Sequence, residues 1–213
     1  MWVFSHTFCE IGVFQILEME SPKKDTVFRK QLEFSKTTTL NPISHKGNEF
    51  PKVLKVDSSY FSDHIYIMES KPALEILTKP WIVGSELALA ARESSQEFLK
   101  AAFTISEEMA SASYNSIAEI IPLAGALYYR IGEAFELVFT ESLKQCFIGA
   151  RRVWSKSREK WETELSYLNF EALPENSVIL MGDTIATGGT IVQIVKEVVK
   201  NAEKPKAIVL FSI

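Results

Sequence analysis

Four short apolar runs punctuate the second half of the chain: 117–123 (IAEIIPL), 146–150 (CFIGA), 178–182 (VILMG) and 207–213 (AIVLFSI). Each contains β-branched residues and is apolar on both faces, the pattern of strands in a parallel sheet covered on both sides. Between the first two, LYYRIGEAFELVFTES sets Tyr128, Ile131, Phe135, Leu137 and Val138 on a predicted helix. Between the last two, IVQIVKEVVKNA aligns Ile191, Ile194, Val195 and Val198 on one helical face. The final unit therefore reads strand, tight loop, helix, strand, a crossover that is overwhelmingly right-handed.

Upstream the grammar differs. From Ser85 the composition turns helical, with Leu87, Phe98, Leu99, Ala102, Phe103 and Ile105 among many Ala and Glu. Ser85 is suited to cap that helix, and the doubled Ser94–Ser95 predicts a break into two. Residues 53–56 and 65–68 read as short strands, with Pro72 and Pro80 as punctuation. Residues 21–52, polar and rich in Ser, Thr, Lys and Pro, read as irregular surface chain. The opening MWVFSHTFCEIGVFQIL is apolar, but it lacks a basic n-region and Glu10 interrupts it. A buried or ill-defined strand suits it better than a signal peptide or a membrane span. The expected organisation is an N-terminal extension over 1–84 and an α/β domain over 85–213.

Composition narrows the function classes. The 213 residues carry a formal net charge of -4, which argues against non-specific nucleic-acid binding. Cys9 and Cys146 form no CxxC pair, and His6, His45 and His64 are scattered. Neither a cysteine zinc cluster nor a histidine metal site is expected, and a reduced, cytoplasmic compartment away from the membrane is the simpler reading.

The loop after 178–182 carries the chemistry. It reads DTIATGGT and leads into a helix. Free N–H groups and partial positive charge at a helix N-terminus attract an anion. Gly188 and Gly189 allow the backbone to approach it closely, and Thr187 and Thr190 add hydroxyl donors. Asp183 would repel a phosphate yet could accept hydrogen bonds from vicinal sugar hydroxyls, so a sugar phosphate fits better than a bare one. The lysine-bearing P-loop and the GxGxxG fingerprint are both absent.

VILMGDTIATGGT resembles the phosphoribosyl-pyrophosphate signature of type I phosphoribosyltransferases. Three further segments are similar to the uracil branch: IIPLAGAL (120–127) to its pyrophosphate-loop strand, IGARR (148–152) to its IGxYR motif, and YLNFEALPENSVILMGDTIATGGT (167–190) to its signature region. SSQEFLKAAFTISEEMA (94–110) resembles its early helix more weakly. The resemblance implies an α/β phosphoribosyltransferase core, a parallel sheet with helices on both faces. Because the sequence stops in the fourth core strand, at Ile213, a truncated sheet with an unpaired edge is expected.

By the same resemblance, Ala186, Thr187, Gly188, Gly189 and Thr190 would hold a 5′-phosphate, and Asp183 would contact ribose hydroxyls. Pro122, Leu123, Ala124 and Gly125 would lie against pyrophosphate, which Arg152 would also contact. The implied reaction transfers phosphoribosyl from phosphoribosyl pyrophosphate, as its Mg²⁺ complex, to a nucleobase, uracil first. A homo-oligomer is expected. A purine or orotate enzyme, or a non-catalytic nucleotide-binding regulator, would share the loop. Gly182 stands where the signature has its first acidic residue, and Leu123 where the uracil branch has an arginine. Residues 154–165 fall where the family has a mobile flap. Their mixed charges, Lys156, Arg158 and Lys160 among Glu159, Glu162 and Glu164, read as a solvated loop.

Overall fold

Apolar runs bounded by turns and stripes at helical spacing set the element order in the computed structural model. It describes residues 9–12, 38–43, 51–58, 64–123, 128–157, 159–171, 173–185, 188–202 and 205–213. The first half holds β1 (Cys9–Gly12), β2 (Thr39–Pro42), β3 (Val53–Asp57), β4 (Ile65–Met68), α1 (Lys71–Thr78), α2 (Gly84–Ile105) and α3 (Glu107–Ser111). A 3₁₀ turn (Tyr114–Ser116) leads into β5 (Ile117–Leu123), α4 (Ile131–Phe139), β6 (Lys144–Ser155), β7 (Lys160–Asn169), β8 (Val178–Gly182), α5 (Gly189–Asn201) and β9 (Ala207–Ser212).

The strands form one sheet in the order β2-β3-β4-β1-β9-β8-β5-β6-β7. One side of it is a five-strand, mostly parallel unit. β9, β8, β5 and β6 run parallel, and β7 returns antiparallel beside β6. Alternation along β8 divides the core. Val178 and Leu180 pack with Phe98 and Leu99 of α2 and Ile131 and Phe135 of α4. Ile179 and Met181 pack with Ile191, Ile194 and Val198 of α5. The sheet is thus covered on both faces, which is why its strands read as unbroken apolar runs.

The crossovers explain the two layers. β5–α4–β6 steps one way along the sheet and β8–α5–β9 the other. Connections of the same hand that step in opposite directions must lie on opposite faces.

Several expectations change. Ser94 and Ser95 do not break α2. Both are fully buried, with Ser95 Oγ donating to the Tyr129 carbonyl at 2.5 Å and Ser94 Oγ 3.5 Å from Ser70 Oγ. The break comes at Ser106, whose hydroxyl caps α3 by accepting from the Met109 N–H. Tyr128 precedes its helix, which starts at Ile131. Strand 146–150 extends over Lys144–Ser155, and 154–165 is largely strand, folded into the β6–β7 hairpin. Cross-strand pairing of Trp154 with Trp161, centroids 5.5 Å apart, favours the hairpin over a loop.

The expected free edge is also absent. β1 covers β9 antiparallel, with Ile11 opposite Phe211. The described residues of 1–84 therefore contribute four strands to the same sheet. Most of the segment read as irregular, 21–52, lies outside the described residues, and its described part includes β2.

Candidate functional site

β5 and β8 are parallel neighbours, and the connections that follow them step in opposite directions along the sheet. Their loops leave from adjacent carboxyl ends toward opposite faces, which opens a crevice where open α/β sheets bind ligands. The two motifs singled out in the sequence occupy these ends. Pro122 and Leu123 close β5, with Leu123 half exposed. Asp183 follows β8, and Gly188, Gly189 and Thr190 begin α5. Ala124, Gly125, Ala186 and Thr187 lie outside the described residues.

Gly188 is the N-cap of α5, at φ 76. Only glycine adopts this left-handed conformation without strain. Gly188 has no side chain with which to cap the helix, and the first N–H groups of a helix have no partner within it. By contrast, α4 is capped from the sheet. Glu119 of β5 accepts from the Gly132 N–H at 3.0 Å and from Gln145 Nε2 at 2.8 Å. Burial pushes its carboxyl above the ordinary value of 4.5, against the pull of those hydrogen bonds. A Cβ on Gly132 would lie 2.8 Å from the same carboxylate oxygen. Glu119 is thus a cap supplied by the tertiary structure.

Asp183 is only 4% exposed. Its N–H donates to the Phe211 carbonyl, which fixes the exit of β8 against β9. Burial raises its carboxyl, opposed by a hydrogen bond from the Thr184 backbone.

Arg152 lies on β6 three residues beyond Gly149, the last β6 residue paired with β5. At about 3.3 Å per residue, the hairpin carries it about 10 Å past the end of β5. Alternation from Ile148 and Ala150, which pack on the α5 side, puts Arg152 on that side too. Arg151, on the other face, pairs with Glu164 at 2.9 Å.

Sequence reasoning missed Tyr129. It is 2% exposed and bridges the two loop exits. Its hydroxyl lies 3.3 Å from Thr184 Oγ1 and accepts from the Ile213 N–H at 2.9 Å. Its ring meets Phe211 edge-on, centroids 5.1 Å apart, and covers Gly182. Beside it, a cavity of about 270 Å³ is bounded by α1, the following turn, the first turn of α2, Thr184 and Ile213.

Among the described residues, no three His, Cys, Asp or Glu side chains gather as a metal site, and no helix is long and apolar enough to cross a membrane.

No known family matches the chain, and no curated protein does. Among solved structures, a hypothetical protein from Neisseria gonorrhoeae with bound ppGpp aligns at 12% identity and a TM-score of 0.38, covering 62% of this chain and 80% of that one. An overlap of that size assigns the chain to no family.

Proposed function

We propose that the protein binds phosphoribosyl pyrophosphate at the β5–β8 crevice and transfers its phosphoribosyl group to a nucleobase, with uracil as the first candidate. One observation carries the reading. The segments resembling the pyrophosphate loop and the phosphoribosyl signature, far apart in sequence, leave adjacent strands at one end of the sheet. Arg152 extends past the same end.

The α5 N-terminus would hold the 5′-phosphate, and Arg152 would face the pyrophosphate. As the C1′–oxygen bond breaks, the pyrophosphate leaves with the electron pair. A ring nitrogen of the base forms the C1′–nitrogen bond and passes its proton to the departing pyrophosphate or to water. Such chemistry depends on positioning and on stabilising the leaving group. Magnesium fits as part of the substrate. Gly182 offers no carboxylate and Asp183 is buried, whereas Mg²⁺ is commonly held largely by substrate phosphates and water.

A second reading has its own support. The missing carboxylate at 182 and the burial of Asp183 suit a protein that binds the ligand without turning it over. Isothermal titration with phosphoribosyl pyrophosphate and Mg²⁺, beside pyrophosphate release with each base, separates the two. Binding with turnover on one base supports the enzyme. Binding without turnover on any base selects the regulator. No binding rejects both.

A further inference from the structure

The apolar cavity is built largely from residues upstream of every motif that points to a ligand. Ile76 of α1, Ile82 of the turn and Leu87 of α2 wall it, and Thr184 closes the side toward the crevice. Among the described residues, Lys79 is the charged one on its lining, its ammonium 3.4 Å from Glu75 Oε1 and still part-exposed. Its rim is apolar as well. Leu77 is 51% exposed, and Trp81, in the turn that supplies the wall, is 71% exposed. Isolated exposed apolar residues need no explanation, but a cluster around a concavity marks a binding site.

Position gives the cavity its meaning. Thr184 directly follows Asp183, so the cavity wall and the sugar-facing loop are consecutive residues. Ile213, also on the lining, packs with the α2–α4 core, whereas α5 lies on the opposite face. A ligand with its 5′-phosphate at the α5 N-terminus, its sugar over the end of β8 and its pyrophosphate toward Arg152 would turn the other face of C1′ across the sheet end toward this cavity.

We infer that the cavity receives the acceptor base: a flat heteroaromatic ring with a carbonyl oxygen turned to the Lys79 ammonium. This rests on the proposed phosphoribosyl transfer and adds where its second substrate binds. The volume suits the occupant. At about 30 Å³ per water, 270 Å³ equals roughly nine waters, which leaves room for one such ring with its exocyclic oxygens. The walls are apolar, as a ring's faces require, and Lys79 and the Thr184 hydroxyl supply the few polar groups that fix orientation.

The test titrates the full chain in two steps, first with phosphoribosyl pyrophosphate and Mg²⁺, then with uracil, guanine or orotate into the loaded protein. One base is expected to bind and to change tryptophan emission, a change that Trp81→Phe abolishes. Leu87→Trp fills the cavity and is expected to weaken base binding about tenfold or more, with phosphoribosyl pyrophosphate affinity held within about twofold. Leu77→Glu, at a half-exposed position on the mouth, is expected to do the same and serves if Leu87→Trp fails to fold. Unchanged base affinity in a folded filled or charged variant would overturn the cavity assignment. So would the absence of base binding to loaded wild type, with the phosphoribosyl pyrophosphate site intact. Failure of phosphoribosyl pyrophosphate itself to bind overturns the functional reading and the cavity with it.

Discussion

Gly182 and Tyr129 compete for one volume: a Cβ on the glycine would fall 2.6 Å from Cγ of the tyrosine ring and 2.7 Å from its Cβ. The residue that departs from the phosphoribosyl signature is thus matched to a ring from the neighbouring loop. Gly182→Ala is expected to destabilise the fold by about 1–3 kcal/mol, the usual cost of overpacking, read as a lower urea midpoint. Tyr129→Ala should relieve part of that cost, so the double variant falls short of the sum of the singles. Strict additivity would show that the two residues do not share the space.

Tyr129→Phe keeps the ring and removes the hydroxyl. The Ile213 N–H and the Thr184 hydroxyl lose their partner. A loss of about 1–3 kcal/mol is expected from leaving partly buried polar groups unsatisfied. Hydrogen exchange at the Ile213 amide should quicken beyond what global stability alone explains.

Gly188→Ala tests the α5 N-terminus. The position is open, with nothing within 4 Å of an added Cβ, but its φ is +76. The cost is conformational, about 1–2 kcal/mol. Thermal unfolding should reveal it, and phosphoribosyl pyrophosphate affinity should fall as the helix start shifts.

Arg152 and Arg151 form a matched pair on opposite faces of the hairpin. Arg152→Ala is expected to weaken phosphoribosyl pyrophosphate binding by about 1.5–3 kcal/mol, the range of a hydrogen bond to a charged group. Arg151→Ala breaks only an exposed pair with Glu164 and should leave binding nearly unchanged. Equal effects would argue for general electrostatics instead of a contact.

Glu119 predicts a pH dependence. Its folded carboxyl titrates above 4.5, chiefly through burial. The native state therefore binds more protons than the unfolded chain between the two values. Its contribution is full below the unfolded value and is lost as pH rises through the folded one. Glu119→Gln should flatten that part of the curve of stability against pH, measured by urea unfolding. An unchanged slope would assign the dependence to another group.

Much of the central sheet was legible because its signals are local. β5 and β8 are short apolar runs, and TGGT marks the helix that follows. The hairpin was hidden because KWETELSYLN alternates charge and bulk as a solvated loop also can, and only the Trp154–Trp161 pairing distinguishes them. Ser94 and Ser95 misled because a serine pair resembles a break until its partners, Tyr129 and Ser70, come from elsewhere in the chain. Tyr129 gave no signal at all. Its partners lie 55 and 84 residues away, beyond any periodicity. The cavity was invisible for the same reason, since its walls come from α1, α2 and the ends of β8 and β9.

The pairing of β1 with β9 also bears on how the protein is made. Ile11 meets Phe211 about 200 residues later in the chain. During synthesis, β1 can pair with β4 early, but its other edge stays open until β9 has emerged from the ribosome. Contacts of such long range slow folding and prolong the exposure of unpaired strands. The early strands are thus where a chaperone would be needed longest, and where a stalled or shortened product would first aggregate.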